Sequence, residues 1–171
     1  MEIRNIETFL PFFDGIRERT LRVVSLIPDD KLEWRHSEGV FSPADLARHI
    51  AAVERYTFAE NVTGRPSRYP GCGRDLADGK SAILEFMRRM HAESAKILGA
   101  LQPQDLELKR TTPEGHPITA WKLLRAMVEH EVHHRGEIYV YLALMGVPRP
   151  PLYTLTEPEL RALSSPGANV A

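Results

Sequence analysis

The 171-residue chain carries one cysteine, Cys72, so it holds no internal disulfide and no thiolate-rich metal site. It lacks any apolar run near the roughly 18 residues that a membrane helix needs. It lacks a charge of one sign: 22 Lys+Arg against 23 Asp+Glu leave a net charge of −1, with no broad basic face for nucleic acid. It lacks internal repeats, low-complexity tracts and any long segment alternating with period two. With 43% apolar and 26% charged residues, it falls outside the disordered and fibrous classes. The opening Met-Glu-Ile-Arg-Asn-Ile-Glu is too acidic and too polar for a signal peptide. These absences lead us to expect one domain over residues 1–171, a cytoplasmic location, and neither membrane nor nucleic acid as partner.

What is present is helical periodicity. A first helix is expected from about Ile6 to Leu26, with Pro11 in a first turn or at a kink. A second starts at Ser42-Pro43, with Ser42 as N-cap and Asp45 in the capping-box position, and runs to about Val62. Trp34 is the expected packing anchor of the connection before it. A third spans about Gly79–Leu101, and a fourth about Thr119–Met145, closed by Gly146 and Pro148. A small hairpin is expected within 103–117, and a short C-terminal helix near Glu157–Leu163. The fold class is therefore all-α: a four-helix bundle whose longer connections leave room for a crossover.

Histidine is over-supplied in one place. Of seven histidines, three lie between His130 and His134. At about 100° per residue, His134 falls about 40° from His130 and one turn along. Leu123, Met127, Ile138 and Tyr141 share that face, so the two imidazoles interrupt the stripe that should meet the core. Burying them unpartnered would cost on the order of 1–3 kcal/mol each. A divalent metal takes up both lone pairs, and the i, i+4 spacing suits two ligands of one ion. His49, between Leu46 and Val53 on an apolar face, is the candidate third ligand. Three imidazoles leave coordination positions open, as catalytic sites require.

Glu137 lies on the same face and could take the second N–H of a ligand histidine or approach the metal. His133, Glu131 and Glu137 are candidates for a general base by proximity alone. Glu54, His36, His91 and His116 are expected at the surface or rim. Cys72, between two glycines in a loop, is expected to be an incidental exposed thiol. Arg65, Arg68 and Arg74 in the same loop could meet an anionic cosubstrate, although such charges are more often only solvated.

These residues carry a resemblance. Leu46-Ala47-Arg48-His49-Ile50 after Phe41-Ser42-Pro43, and His130-Glu131-Val132-His133-His134-Arg135-Gly136 before Tyr141-Leu142 and Gly146, resemble the DinB family over nearly the whole chain. Leu32-Glu33-Trp34-Arg35 belongs to the same pattern. The resemblance implies a bundle with a three-histidine metal site at His49, His130 and His134, often in a homodimer. It implies a divalent ion, with Zn, Ni and Fe not distinguished. It also implies, for some members, transferase or isomerase chemistry with a low-molecular-weight thiol on a small-molecule substrate. The family commonly carries Gln where Glu137 stands, and its name does not imply DNA binding.

Several readings follow. One is a metal-dependent thiol S-transferase acting on small electrophiles. A second is a metal-dependent hydrolase or protease, since His130-Glu131-x-x-His134 matches His-Glu-x-x-His literally, with Glu131 as base. The third ligand downstream and the substrate-aligning strand of such proteases are missing. A third is a di-iron bundle, for which Glu131-x-x-His134 supplies only one of two required elements. A fourth is a bundle without catalytic function, binding a metal or holding inert histidines.

Overall fold

The computed structural model describes residues 2–151 and 154–164, and the chain is a four-helix bundle. Helix α1 spans Ile6–Ser25, and Asn5 caps it by accepting from the Glu7 amide at 2.6 Å. Pro11 lies inside α1 on its exposed side, where the helix tolerates a missing N–H. Helix α2 is composite: α-helical over Pro43–Val53, a π turn over Glu54–Phe58, and α-helical again over Ala59–Val62. Ser42 and Asp45 form the reciprocal cap, at 3.1 and 3.0 Å. Helix α3 spans Lys80–Leu98 and α4 spans Ala120–Leu144. Between them lies an antiparallel hairpin of β1 (Lys109–Thr111) and β2 (Pro117–Thr119). Helix α5, Glu157–Leu163, is exposed. Among the described residues, no helix is long and apolar enough to cross a membrane.

The core divides into two clusters that reveal the helix directions. At one end Ile6, Phe9 and Phe13 pack with Val62, Leu98, Leu123 and Leu124. At the other, Leu21 and Val24 pack with Leu46, Ile50, Ile83, Met87, Ile138 and Leu142. So α1 and α4 run one way, and α2 and α3 run the other. Successive helices α2 and α3 are parallel, and the chain must travel the bundle's length between them. Residues 63–79 do this, and they are the crossover for which the connection lengths left room. The segment runs back along α2: the Arg68 amide bonds the Tyr56 carbonyl at 2.8 Å. Fully buried Arg48 then bonds the carbonyls of Cys72 and Ala77 at 2.7 and 3.0 Å. Its remaining donors meet Glu33 and Asp45, so one guanidinium ties the crossover to α2.

Helices α1 and α2 each pack on α3 and α4, which places them across the bundle's diagonal. There the structure overturns two expectations. Glu54, expected in solvent, is 2% exposed and is paired with Arg17 of α1, itself 1% exposed. Arg17 also meets Glu131 of α4 at 3.1 Å, and Glu131 accepts from Thr20 at 2.6 Å. His91 of α3, expected at the surface or rim, bridges Glu54 and Asp14 at 3.0 and 2.9 Å with only 14% of its side chain exposed. Four helices thus meet in one buried ionic cluster. Burial works to raise the Glu54 carboxyl, but Arg17 and His91 overcome it and hold it below the ordinary glutamate value.

Candidate metal centre

Three of the seven histidines converge. The Nε2 atoms of His49 and His130 lie 3.1 Å apart. The His134 ring centroid is 4.5 Å from that of His130 and 4.8 Å from that of His49. One nitrogen from each falls within 4.8 Å of the others, and all three side chains are half-buried. His130 and His134 are brought together by one turn of α4, as their 40° offset requires. His49 joins them because α2 packs on α4.

The electrostatics favour neutral rings. Burial, then the neighbouring His134, push His49 down to about 4 and His130 down to about 3. Neutral imidazoles present lone pairs. Two nitrogens on one tetrahedral metal at about 2.05 Å would sit about 3.3 Å apart, close to the 3.1 Å between His49 and His130. The donor set therefore fits a borderline divalent cation such as Zn²⁺ or Ni²⁺.

The outer nitrogens are held from behind. His134 Nδ1 donates to Glu137 Oε2 at 2.7 Å, and His49 Nδ1 pairs with the Tyr69 hydroxyl at 2.7 Å. Both contacts leave Nε2 for the centre, an arrangement typical of ligating histidines. Two aromatic rings wall the site: Phe41 stands 5.2 Å from His49, and Phe58, in the π turn, 5.8 Å from His130. Tyr69 was not legible in the sequence. It reaches His49 only because the crossover runs back along α2.

The remaining candidates separate. Glu131 adjoins His130 in sequence but turns into the ionic cluster, 1% exposed, so it does not serve the centre as a base. His133 is 68% exposed and lies 3.5 Å from Glu137, as a solvated side chain would. His36 lines a pocket with Phe41, Leu46, Glu137, Val140 and Tyr141, of ≈ 370 Å³, beside the histidines. His116 stays in the hairpin turn. Cys72 is partly buried rather than exposed, and burial raises its thiol. The three loop arginines do not act together: Arg65 and Arg68 pair with Glu60, and Arg74 with Asp78.

The family model that matches this chain, over residues 1–166, is that of the DinB family. The chain belongs to the DinB family. Among DinB relatives, YjoA of Bacillus subtilis (strain 168) is 26% identical over 140 residues, which cover 80% of this chain and 88% of YjoA. The YjoA crystal structure superposes with a TM-score of 0.69 over 86% of this chain and 97% of that one, at 22% identity. YfiT from Bacillus subtilis, described as a probable metal-dependent hydrolase with an unusual four-helix bundle topology, gives 0.69 at 16% identity over 86% and 91%. A mycothiol-dependent maleylpyruvate isomerase gives 0.54 at 18% identity over 78% of this chain and 60% of its own. The DinB bundle is thus the frame on which the histidine centre sits.

A first prediction arises from the groups behind the candidate ligands. Replacing Glu137 with alanine should weaken metal binding roughly 10- to 100-fold, because the His134 ring loses its orienting acceptor. Glu137→Gln should restore most of the affinity, since an amide oxygen can accept the same bond. Competition titration against a chromophoric chelator checks both, and equal affinity in all three proteins would refute the role.

Proposed function

We propose that this DinB chain is a metal-dependent enzyme that joins a low-molecular-weight thiol to a small electrophile. The convergence of His49, His130 and His134 beside an open pocket carries this reading. Those three side chains would hold one divalent cation, which when bound supplies Lewis acidity that lowers the pKa of a thiol or water at its open side. Three protein ligands leave room for that nucleophile.

The choice of thiol over water rests on the two carboxylates nearest the histidines, both already engaged. Glu131 is turned into the core, and Glu137 is engaged by His134. A thiol, with a pKa near 8.5 when free, ionises beside a cation without a protein base, whereas water benefits from one. Cys72 does not supply it, because its thiol is partly buried and raised. The nucleophile therefore arrives from outside. Phe41, Val140 and Tyr141 offer the substrate an apolar wall, and His36 and Glu137 give it two polar contacts. The mycothiol-dependent isomerase on the same fold supports this reading.

A second reading, hydrolysis, has its own support. Glu137 is 45% exposed at the pocket, where it could orient water, and YfiT is described as a hydrolase. One experiment separates the two. Metal-loaded protein is assayed with chlorodinitrobenzene plus 2-mercaptoethanol, and separately with p-nitrophenyl acetate without thiol. We expect conjugation that disappears with chelator and in His130→Ala. Metal-dependent ester cleavage without conjugation would select the hydrolase, and neither reaction depending on metal would overturn both.

A further inference from the structure

A second cleft lies apart from the histidine centre and shares none of its ligands. It opens between the end of α2, the start of the crossover and the β1–β2 hairpin, with a volume of ≈ 600 Å³. Three cations line it, Arg65, Lys109 and Arg110, of which Arg65 is paired with Glu60 behind the wall, and no carboxylate lines it. Ser67, Thr111 and Thr112 line the same walls, although the Thr112 hydroxyl is already taken by the His116 amide at 3.1 Å. In a chain of net charge −1, this is a local concentration of one sign.

The cations are positioned rather than merely present. Arg110 donates from Nε to the Val62 carbonyl at 2.8 Å, which pins its guanidinium across the end of α2 at the wall of the cleft. Gly64 makes room for it: its φ is +84°, and a Cβ there would stand 3.2 Å from Arg110 Nη1. Lys109 is steadied by one bond to Thr119 Oγ1 at 2.9 Å, with two ammonium protons remaining. Ser67 is fixed by Thr57 at 2.8 Å.

Nearby acids offset part of this field, but none of them lines the cleft. Glu60 is 1% exposed and already accepts from Arg55, Arg65 and Arg68; burial opposes its charge, but those arginines hold the carboxyl down at about 2. Glu114, at the hairpin tip, is engaged by its own backbone and by Thr112. A guanidinium fork held by its Nε, beside an ammonium and hydroxyls, matches the oxygens of a phosphate group. A cleft of this size also exceeds a bare ion and suits a small organic phosphate.

We propose that this cleft is a binding site for a small phosphomonoester, with Arg110 and Lys109 as its anchors. The test titrates the protein with inorganic phosphate and with glycerol 3-phosphate at low ionic strength, by calorimetry and amide NMR. Shifts are expected at residues 64–67 and 109–112, with glycerol 3-phosphate binding more tightly than inorganic phosphate. Arg110→Met and Lys109→Met should each weaken binding at least about tenfold, as loss of a charge-assisted pair does. Arg110→Lys, which keeps the charge but not the fork, should fall between parent and Arg110→Met and guards against misfolding. His130→Ala should bind as the parent does. Unchanged affinity in Arg110→Met and Lys109→Met, loss of binding in His130→Ala, or no binding in the millimolar range would overturn the site.

Discussion

His130→Ala is expected to lower metal affinity by roughly two to three orders of magnitude. Structural zinc sites with four ligands bind with about 10–16 kcal/mol, or about 2.5–4 kcal/mol per ligand, and each 1.4 kcal/mol is tenfold. The three rings form a near-equilateral triangle, with centroids 5.0, 4.8 and 4.5 Å apart, so losing His130 removes one of three equivalent candidate ligands. The fold should survive, because the side chain is only half-buried and the α4 stripe retains Leu123, Met127, Ile138 and Tyr141. Zn²⁺ at about a hundredfold excess over Kd should raise the parent's stability by roughly 2.7 kcal/mol, a Tm rise of about 5–10 °C. His130→Ala should show neither that rise nor bound metal by mass spectrometry. His133→Ala, at an exposed position, should match the parent in both. Equal metal content in His130→Ala and the parent would remove the centre.

Arg17→Met is expected to destabilise the chain by about 3–5 kcal/mol, because it removes the cation between two buried carboxylates and leaves Glu54 to His91 and Glu131 to the Thr20 hydroxyl. For a domain of this size that is a fall of roughly 6–20 °C in Tm. The cluster is under tension even in the parent, where Arg17 Nε and Nη1 have no hydrogen-bond partner among the described residues. Replacing the triad together, as Arg17→Met, Glu54→Leu and Glu131→Leu, should therefore recover most of the loss, since apolar side chains of similar volume often replace buried ions at no cost. Urea unfolding of the single and triple variants measures both, and an Arg17→Met change under about 1 kcal/mol would show that the cluster carries little stability.

The same cluster has a pH signature. Burial works to lower His91, but Glu54 first and Asp14 after it hold its value above that of a free histidine, against Arg17. A raised value means that its contribution is complete below about pH 6.5 and is lost as pH rises through the folded value. Stability of the parent should thus fall relative to His91→Gln across that window, and parallel curves would exclude the linkage.

Much of this bundle is local and could be read along the chain. The periodicity of α1, α3 and α4, the Ser42–Asp45 cap and the Gly146 stop depend on neighbours within a few residues. The pairing of His130 with His134 is local too, because one helical turn is enough to set it. His49 stood out as a polar interruption of an apolar face, although only the packing of α2 on α4 joins it to the pair. Other features have no local signal. The π turn over Glu54–Phe58 departs from the continuous helix that the pattern predicts. Tyr69 is one of many loop residues until the crossover's path is known. Glu54 and His91 read as ordinary helix-surface residues, since their partners Arg17 and Asp14 lie 37 and 77 positions away in the chain.

By itself, then, the sequence determined the helices and the two-histidine face of α4, because hydrogen bonds and side-chain spacing within one helix are set by near neighbours. Tertiary structure alone decided the parallel course of α2 and α3, the orienting contact of Tyr69 on His49, and the inward turn of Glu131. Those depend on which helix faces which across the bundle diagonal, and that is settled by burying the whole apolar surface together rather than by any one segment.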